Sequence, residues 1–226
     1  MGRIVAGKPL DPALLAENVN AVRLGGQNLA KHIEIVRGYG VPVVVAINAF
    51  PTDTPAEVAA IQEVSLAAGA RAAVVTTNFT DGGAGAEALA QAVWDAAQDG
   101  SPNFHFLYPD EASLRTKIET IATQIYGAAG VEYQPAAAKA LKLYEELGYG
   151  YLPVCMAKTQ YSLSHDANLK NRPTGFTLPI RDVRLSAGAG FITPLIGEMR
   201  TMPGLPSIPG GERIDIDAEG NIIGLF

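Results

Sequence analysis

The run Val41-Pro42-Val43-Val44-Val45-Ala46-Ile47 decides the fold. Every position is apolar and most are β-branched, so it reads as a strand with both faces covered, as in the centre of a parallel sheet flanked by helices. Pro42 fits near a strand's beginning, where its missing N–H is tolerated. Upstream, residues 11–37 read as a helix. Asp11 is a good N-cap, Pro12 suits the first helical position, and Leu14, Leu15, Val19, Val22, Leu29, Ile33 and Val36 recur at helical spacing. Gly25-Gly26 is its weak point, and Gly38-Tyr39-Gly40 ends it. Downstream, Thr54-Pro55-Ala56-Glu57 is a capping box with proline at N1, which predicts a helix to about Ala68. A second strand follows over 71–77, then a glycine-bearing exit loop over 78–85 and a helix over 86–97. Strand, helix, strand, helix in this order predicts an α/β fold with a parallel, Rossmann-like sheet and flanking helices.

Beyond that unit the texture changes. A short strand is expected over 104–107, a helix from Asp110 to about Tyr126, and a strand followed by a helix over 132–147. After Gly148, glycine and proline become frequent and short β-like runs appear over 175–183, 190–196 and 213–217. The expected organisation is a Rossmann-like α/β domain over residues 1–130 and a smaller α+β domain over 131–226.

The chain has 226 residues, 48% hydrophobic and 18% charged, enough to bury a core and too apolar for wholesale disorder. The net charge of −6 and the scattered lysines and arginines argue against nucleic acid, whose phosphates need clustered cations. A single cysteine, Cys155, has no internal disulfide partner, so a reducing compartment is expected. The first residues do not read as a signal peptide, and no apolar run approaches the roughly 20 residues of a membrane helix. A cytoplasmic location with no membrane partner is therefore expected.

Both strands of the βαβ unit should present their carboxyl ends at one edge of the sheet, where ligands of open α/β sheets bind. Each exit carries an aromatic residue there, Phe50 followed by Pro51, and Phe79 followed closely by Gly82 and Gly83. Proline stiffens its loop, while paired glycines let backbone approach a ligand. Two such rings suit a flat heterocycle held between them, but from the pattern alone packing of each against its own βα corner is the more ordinary reading; both stay open. Gly82 to Gly85 precede a helix and offer backbone N–H groups, yet they match neither G-x-G-x-x-G nor G-x-x-x-x-G-K-[ST]. No lysine of the chain stands in that second pattern, so no ATP-phosphate cradle is legible. In the second half, Lys158, Thr159 and Gln160 lie in a polar, aperiodic run that suits a polar ligand, an interdomain contact or a solvated loop alike. His32, His105 and His165 do not stand at metal-ligand spacing, and no nucleophile elbow occurs, so neither a metal nor a catalytic residue is assigned.

The strings Asn28-Leu29-Ala30-Lys31-His32-Ile33-Glu34, Val43-Val44-Val45-Ala46-Ile47-Asn48, Phe50-Pro51-Thr52-Asp53-Thr54, Cys155-Met156-Ala157-Lys158-Thr159-Gln160-Tyr161-Ser162, Arg184-Leu185-Ser186-Ala187-Gly188-Ala189-Gly190-Phe191 and Thr201-Met202-Pro203-Gly204-Leu205-Pro206 resemble formate–tetrahydrofolate ligase. The resemblance runs in order along the chain and covers about the C-terminal two-fifths of a usual family member. It implies ATP-dependent formation of 10-formyltetrahydrofolate from formate and tetrahydrofolate, through formyl phosphate. It also implies that the P-loop and the ATP-Mg site belong to an N-terminal domain or subunit, the expected partner. Tetrahydrofolate is then the substrate held here, stacked on Phe50 with Pro51 and on Phe79, beside Gly82 and Gly83. The family typically carries tryptophan at the position of Phe79, in a W-x-x-G-G context. A homo-oligomeric holoenzyme is implied too, with this chain inactive by itself.

Two other readings compete with that one. The chain is a non-catalytic module that binds folate or a protein partner, or it is a generic nucleotide-binding α/β protein. The second is disfavoured because Asn48-Ala49-Phe50-Pro51 lacks the lysine and aspartate of an N-K-x-D base-reading turn.

Overall fold

A computed structural model describes residues 14, 16–50, 52–98, 103–157, 161–197, 208–220 and 222–224. It is a mixed α/β structure with two parallel strand pairs. The chain divides into two compact units, residues 18–199 and residues 1–17 with 200–226.

The longer unit opens with α1 (Val19–Arg37), followed by β1 (Val44–Asn48), α2 (Pro55–Ala67) and β2 (Ala72–Thr76). The helix starts later than the periodicity predicts. Asp11 and Pro12 lie outside the described residues, residues 16–18 are not helical, and Asn18 is the N-cap, its Oδ1 accepting from Ala21 N at 2.9 Å. Gly25-Gly26 does not interrupt α1. A Cβ at Gly26 would stand 3.0 Å from Val64 Cγ1, so the bare glycine lets α1 lie close against α2. The capping box forms as the sequence predicts, with Thr54 and Glu57 bonded reciprocally and Pro55 at the first turn.

β1 and β2 run parallel, with Val44 opposite Ala72 and Asn48 opposite Thr76. Among the described residues β1 has β2 as its one strand partner, a departure from the central strand that its apolar run predicts. Val45 and Ile47 are buried with Ile33 and Ala70 beneath α1 and α2, while Ala46 and Asn48 are exposed. A continuous apolar run marks two faces suited to burial, but it does not say how many neighbours the strand has. Pro42 stands before the first paired residue rather than inside the strand.

The exit after β2 is more helical than a glycine-bearing loop predicts. One turn of helix, α3 (Asn78–Asp81), and a 3-10 turn over Ala84–Ala86 lead into α4 (Glu87–Gln98). The strand expected over 104–107 is not formed. Residues 103–105 instead lie along the end of α1 through two bonds, Asn103 N to Gly40 O at 2.8 Å and His105 N to Tyr39 O at 3.1 Å. Gly40 has φ +74°, and a Cβ there would collide with Asn103 O, so this contact requires glycine.

α5 (Leu114–Thr120) is capped by Ser113, whose Oγ accepts from Thr116 N at 3.2 Å, so it begins after Asp110 rather than at it. It continues as a π-helical turn over Ile121–Ile125. β3 (Gly130–Tyr133) and α6 (Pro135–Glu146) follow, then a long connection, β4 (Thr177–Ser186) and β5 (Phe191–Ile196). β4 lies between the other two strands, parallel to β3 and antiparallel to β5. The second core sits here, with Leu114, Ile118, Leu141, Leu178, Ile180, Ile192 and Ile196 fully or almost fully buried. Residues 153–157, which have no clear period, lie beside β5 by the alternating bonds Ile192 N to Pro153 O, Cys155 N to Ile192 O and Ala157 N to Pro194 O at 2.8–2.9 Å. In the shorter unit β6 (Asp215–Ile216) and β7 (Ile222–Ile223) form an antiparallel hairpin.

Candidate functional site

Parallel register fixes where the two loops begin. Asn48 and Thr76 are opposite each other, and neighbouring strands lie about 4.8 Å apart, so both exits leave the same edge side by side. The backbone continues the pairing one step further, with Ala49 N donating to Thr76 O at 3.2 Å. Phe50 comes two residues after Asn48, and Phe79 three after Thr76. Neither ring is taken into a core: Phe50 is 61% exposed and Phe79 is 92% exposed.

Each loop is held by its own polar contacts. Phe50 N donates to Asp53 Oδ2 at 2.8 Å, and Asp53 N donates back to Phe50 O at 3.0 Å, a closed turn that fixes the Phe50 backbone. On the other side Thr76 Oγ1 lies 3.0 Å from both Asn78 Oδ1 and Gly85 O, sharing one proton between them. Thr77 N donates to Gly85 O at 3.1 Å, and Thr77 Oγ1 donates to Asp81 Oδ2 at 2.5 Å. The ring of Phe79 therefore stands on a short helical turn tied down at both ends. Gly82 adopts φ +59°, and a Cβ at Gly82 or Gly83 would meet no atom within 4 Å, so both glycines border open space. Pro51 lies outside the described residues.

Sequence reasoning weighed Gly85 only as a backbone N–H before the helix, not as a point of close packing. A Cβ there would stand 2.6 Å from the carbonyl carbon of Thr77 and 2.8 Å from Asn78 N, so the loop closes only around a bare Cα. The signal was a third glycine within four residues, which reads as loop composition until the contact with Thr77 is known.

Lys158, Thr159 and Gln160 lie outside the described residues, but the polar run that contains them reappears beyond Gln160. It binds α1. Asn28 Nδ2 donates to Ser162 Oγ at 3.0 Å and to Asn171 O at 2.8 Å, and Asn171 Nδ2 donates to Leu24 O at 2.7 Å. Arg172 meets Glu34 through both guanidinium Nη atoms at 2.8 Å. Ser162 and Asn171 hold left-handed backbone (φ +62° and +67°), a strained geometry retained because each is tied to α1. His32 belongs to the same contact, its Nε2 3.4 Å from Ser162 Oγ.

Among the described residues no three His, Cys, Asp or Glu side chains are placed to share a metal ion, and no helix is long and apolar enough to cross a membrane. What the sheet edge offers chemically is aromatic surface and open backbone.

The parallel unit, with exposed rings at its carboxyl edge, places the chain among mixed α/β proteins, the class whose open sheets bind ligands at that edge. A family model described as formate–tetrahydrofolate ligase matches residues 4–226, and the chain belongs to that family. It is 58% identical over 224 residues to the formate–tetrahydrofolate ligase of Saccharopolyspora erythraea, a match covering 99% of this chain and 39% of that protein. The Roseiflexus sp. ligase is 54% identical over 222 residues, with 98% and 39% covered, and that of Chloroflexus aurantiacus is 54% identical over 224, with 99% and 39% covered. The chain thus spans about two-fifths of the length of the curated relatives it matches.

Proposed function

We propose that this chain supplies the tetrahydrofolate-binding side of a formate–tetrahydrofolate ligase, with ATP-Mg held by a P-loop partner. The observation that carries the proposal is the pair of exposed rings, Phe50 and Phe79, on loops leaving adjacent parallel strands at one edge. A flat pteridine held between two rings needs them about 7 Å apart, two carbon–carbon contacts of roughly 3.5 Å. Loops from neighbouring strands have the reach for that. Pro51 stiffens the first loop, and Gly82 and Gly83 leave backbone open to the ligand on the second.

In this reading residues 1–130 act as a Rossmann-like ring-binding domain and residues 131–226 as a smaller α+β domain, with Lys158, Thr159 and Gln160 serving a polar ligand or an interdomain contact. The chain is cytoplasmic and works in a homo-oligomeric holoenzyme. Its own sequence has no G-x-x-x-x-G-K-[ST] pattern, so it binds folate without turning over ATP until its partner is present.

The test is a calorimetric titration of the chain with tetrahydrofolate. Replacing Phe79 by Ala should weaken binding by about 1–3 kcal/mol, the usual worth of one stacked ring. Unchanged affinity would assign Phe79 to another role. Because the chain spans two-fifths of its relatives, a second reading stands beside the first: a module that binds folate or a protein partner and never supports turnover. ATP-dependent formylation by a mixture of this chain with the remaining ligase portion separates the two.

A further inference from the structure

At the opposite end of the β1–β2 pair from Phe50 and Phe79, a row of aromatic rings faces solvent. Tyr39 stacks on Phe104 with centroids 6.5 Å apart, and Phe104 meets Phe106 edge-on at 5.4 Å. Phe104 is 59% exposed and Phe106 71%. Phe106 then borders a cavity of about 410 Å³, walled also by Tyr39, Tyr108, Tyr151, Pro153 and Val154, with Asp110 as its one charged lining residue. Tyr151 is 63% exposed at its rim.

This surface is held in shape from beneath. Lys117 is fully buried, and its Nζ donates to Gly150 O at 3.0 Å and to Leu152 O at 3.1 Å, the carbonyls on either side of Tyr151. The same ammonium lies 5.8 Å from the centre of the Tyr108 ring, and Tyr108 OH accepts from Val154 N at 3.1 Å. A buried cation thus fastens the 150–154 turn to the 108 loop, fixing opposite walls of the cavity. Rigid aromatic pockets with a charged rim have the composition of binding hot spots, and contiguous apolar surface of this kind marks an interaction site.

We propose that this aromatic cavity is the seat for the remaining portion of the ligase polypeptide, which inserts an apolar side chain flanked by lysine or arginine. The proposal rests on the reading that the chain works with such a partner, and it adds the place and chemistry of the contact. About three-fifths of the length of each relative lies outside the region this chain matches, so a large covering body exists in the family. Asp110 inside the cavity and Glu111 next to it favour a cation at the rim. The single ammonium of Lys117, bonded to the 150–154 turn through Gly150 O and Leu152 O, feels both carboxylates from beneath, and two carboxylates against one ammonium leave the cavity side net negative.

The test co-expresses this chain with the unmatched portion of the Saccharopolyspora erythraea ligase and measures their association by sedimentation, with hydrogen exchange of the wild-type chain read in parallel. The expected result is a complex in which residues 104–106 and 151–154 gain protection. F106R and Y151R, on separate segments and both at exposed positions, should each weaken association about tenfold or more. The same variants should leave the tetrahydrofolate titration unchanged, so failure here is distinguishable from failure of the folate reading. Absence of a complex, or association that ignores both variants without protection of these segments, would overturn the proposal. Self-association of the chain alone that F106R abolishes would overturn it in favour of a second copy. Saturable binding of p-cresol that both variants abolish, with partner association intact, would make the cavity a small-molecule site instead.

Discussion

The backbone N–H of Asn18 donates to Glu57 Oε1 at 2.8 Å, so the side chain that completes the N-terminal cap of α2 also holds the residue that caps α1. The other carboxylate oxygen of Glu57 accepts from Thr54 N and Thr54 Oγ1, both at 3.3 Å. One ionised group thereby joins the starts of two packed helices.

These bonds, that from Asn18 N first and that from Thr54 N next, hold the Glu57 carboxyl below the usual glutamate range. The unfolded chain therefore binds this proton at a higher pH than the folded one. The contribution is fully present above the unfolded glutamate value, about 4.3, and is lost as pH falls through the lower folded value. Urea midpoints measured from pH 6 to pH 3 should fall less steeply for Glu57→Gln than for the wild type. Parallel curves would remove Glu57 from the acid response.

At the sheet edge, Phe79→Trp enlarges the exposed ring, to the tryptophan that the resemblance to the ligase family implies at this position. It should tighten tetrahydrofolate binding by about 0.5–1.5 kcal/mol, the added worth of a good aromatic pair. Fluorescence titration reads this directly through the new indole, and weaker binding would show that the loop is shaped for phenylalanine.

Gly85→Ala places a methyl group within 3 Å of the Thr77 backbone and of Asn78 N, atoms that belong to the turn carrying Phe79. Overpacking of this kind costs about 1–3 kcal/mol. Denaturant unfolding should show that loss, together with weaker tetrahydrofolate binding, because the ring moves with its turn. A neutral result would mean that the turn relaxes freely.

Lys117→Met keeps the length of the side chain and removes the ammonium that binds Gly150 O and Leu152 O. Leaving buried acceptors without a donor costs about 1–3 kcal/mol. The expected signature is reduced stability with faster hydrogen exchange over 150–154. Equal stability would mean that water replaces the ammonium without loss.

Much of this fold was legible from local chemistry. The capping box at Thr54, the β-branched runs of β1 and β2, and the turn of sequence at Gly38-Tyr39-Gly40 specify their elements within a few residues, because each depends on neighbours along the chain. Starts that depend on distant partners were missed. Asn18 caps α1 with help from Glu57, and Ser113 rather than Asp110 caps α5. Residues 104–107 have strand-like composition, yet His105 N donates to Tyr39 O, and Asn103 N just before them donates to Gly40 O.

The sequence alone determined the family, the helix–strand–helix–strand order from α1 to β2, and the presence of an aromatic residue after each of the first two strands. Tertiary structure alone decided that Phe50 and Phe79 are exposed at one edge and that Gly85 is the close point of the second loop. It also decided that Lys117 lies at the bottom of a core. That lysine stands on the apolar stripe of Leu114, Ile118 and Ile121, a pattern break visible in the sequence, but the carbonyls that satisfy it come from more than 30 residues away. Burial and hydrogen-bond partners are set by packing between distant segments, and local periodicity carries no information about which segments those are.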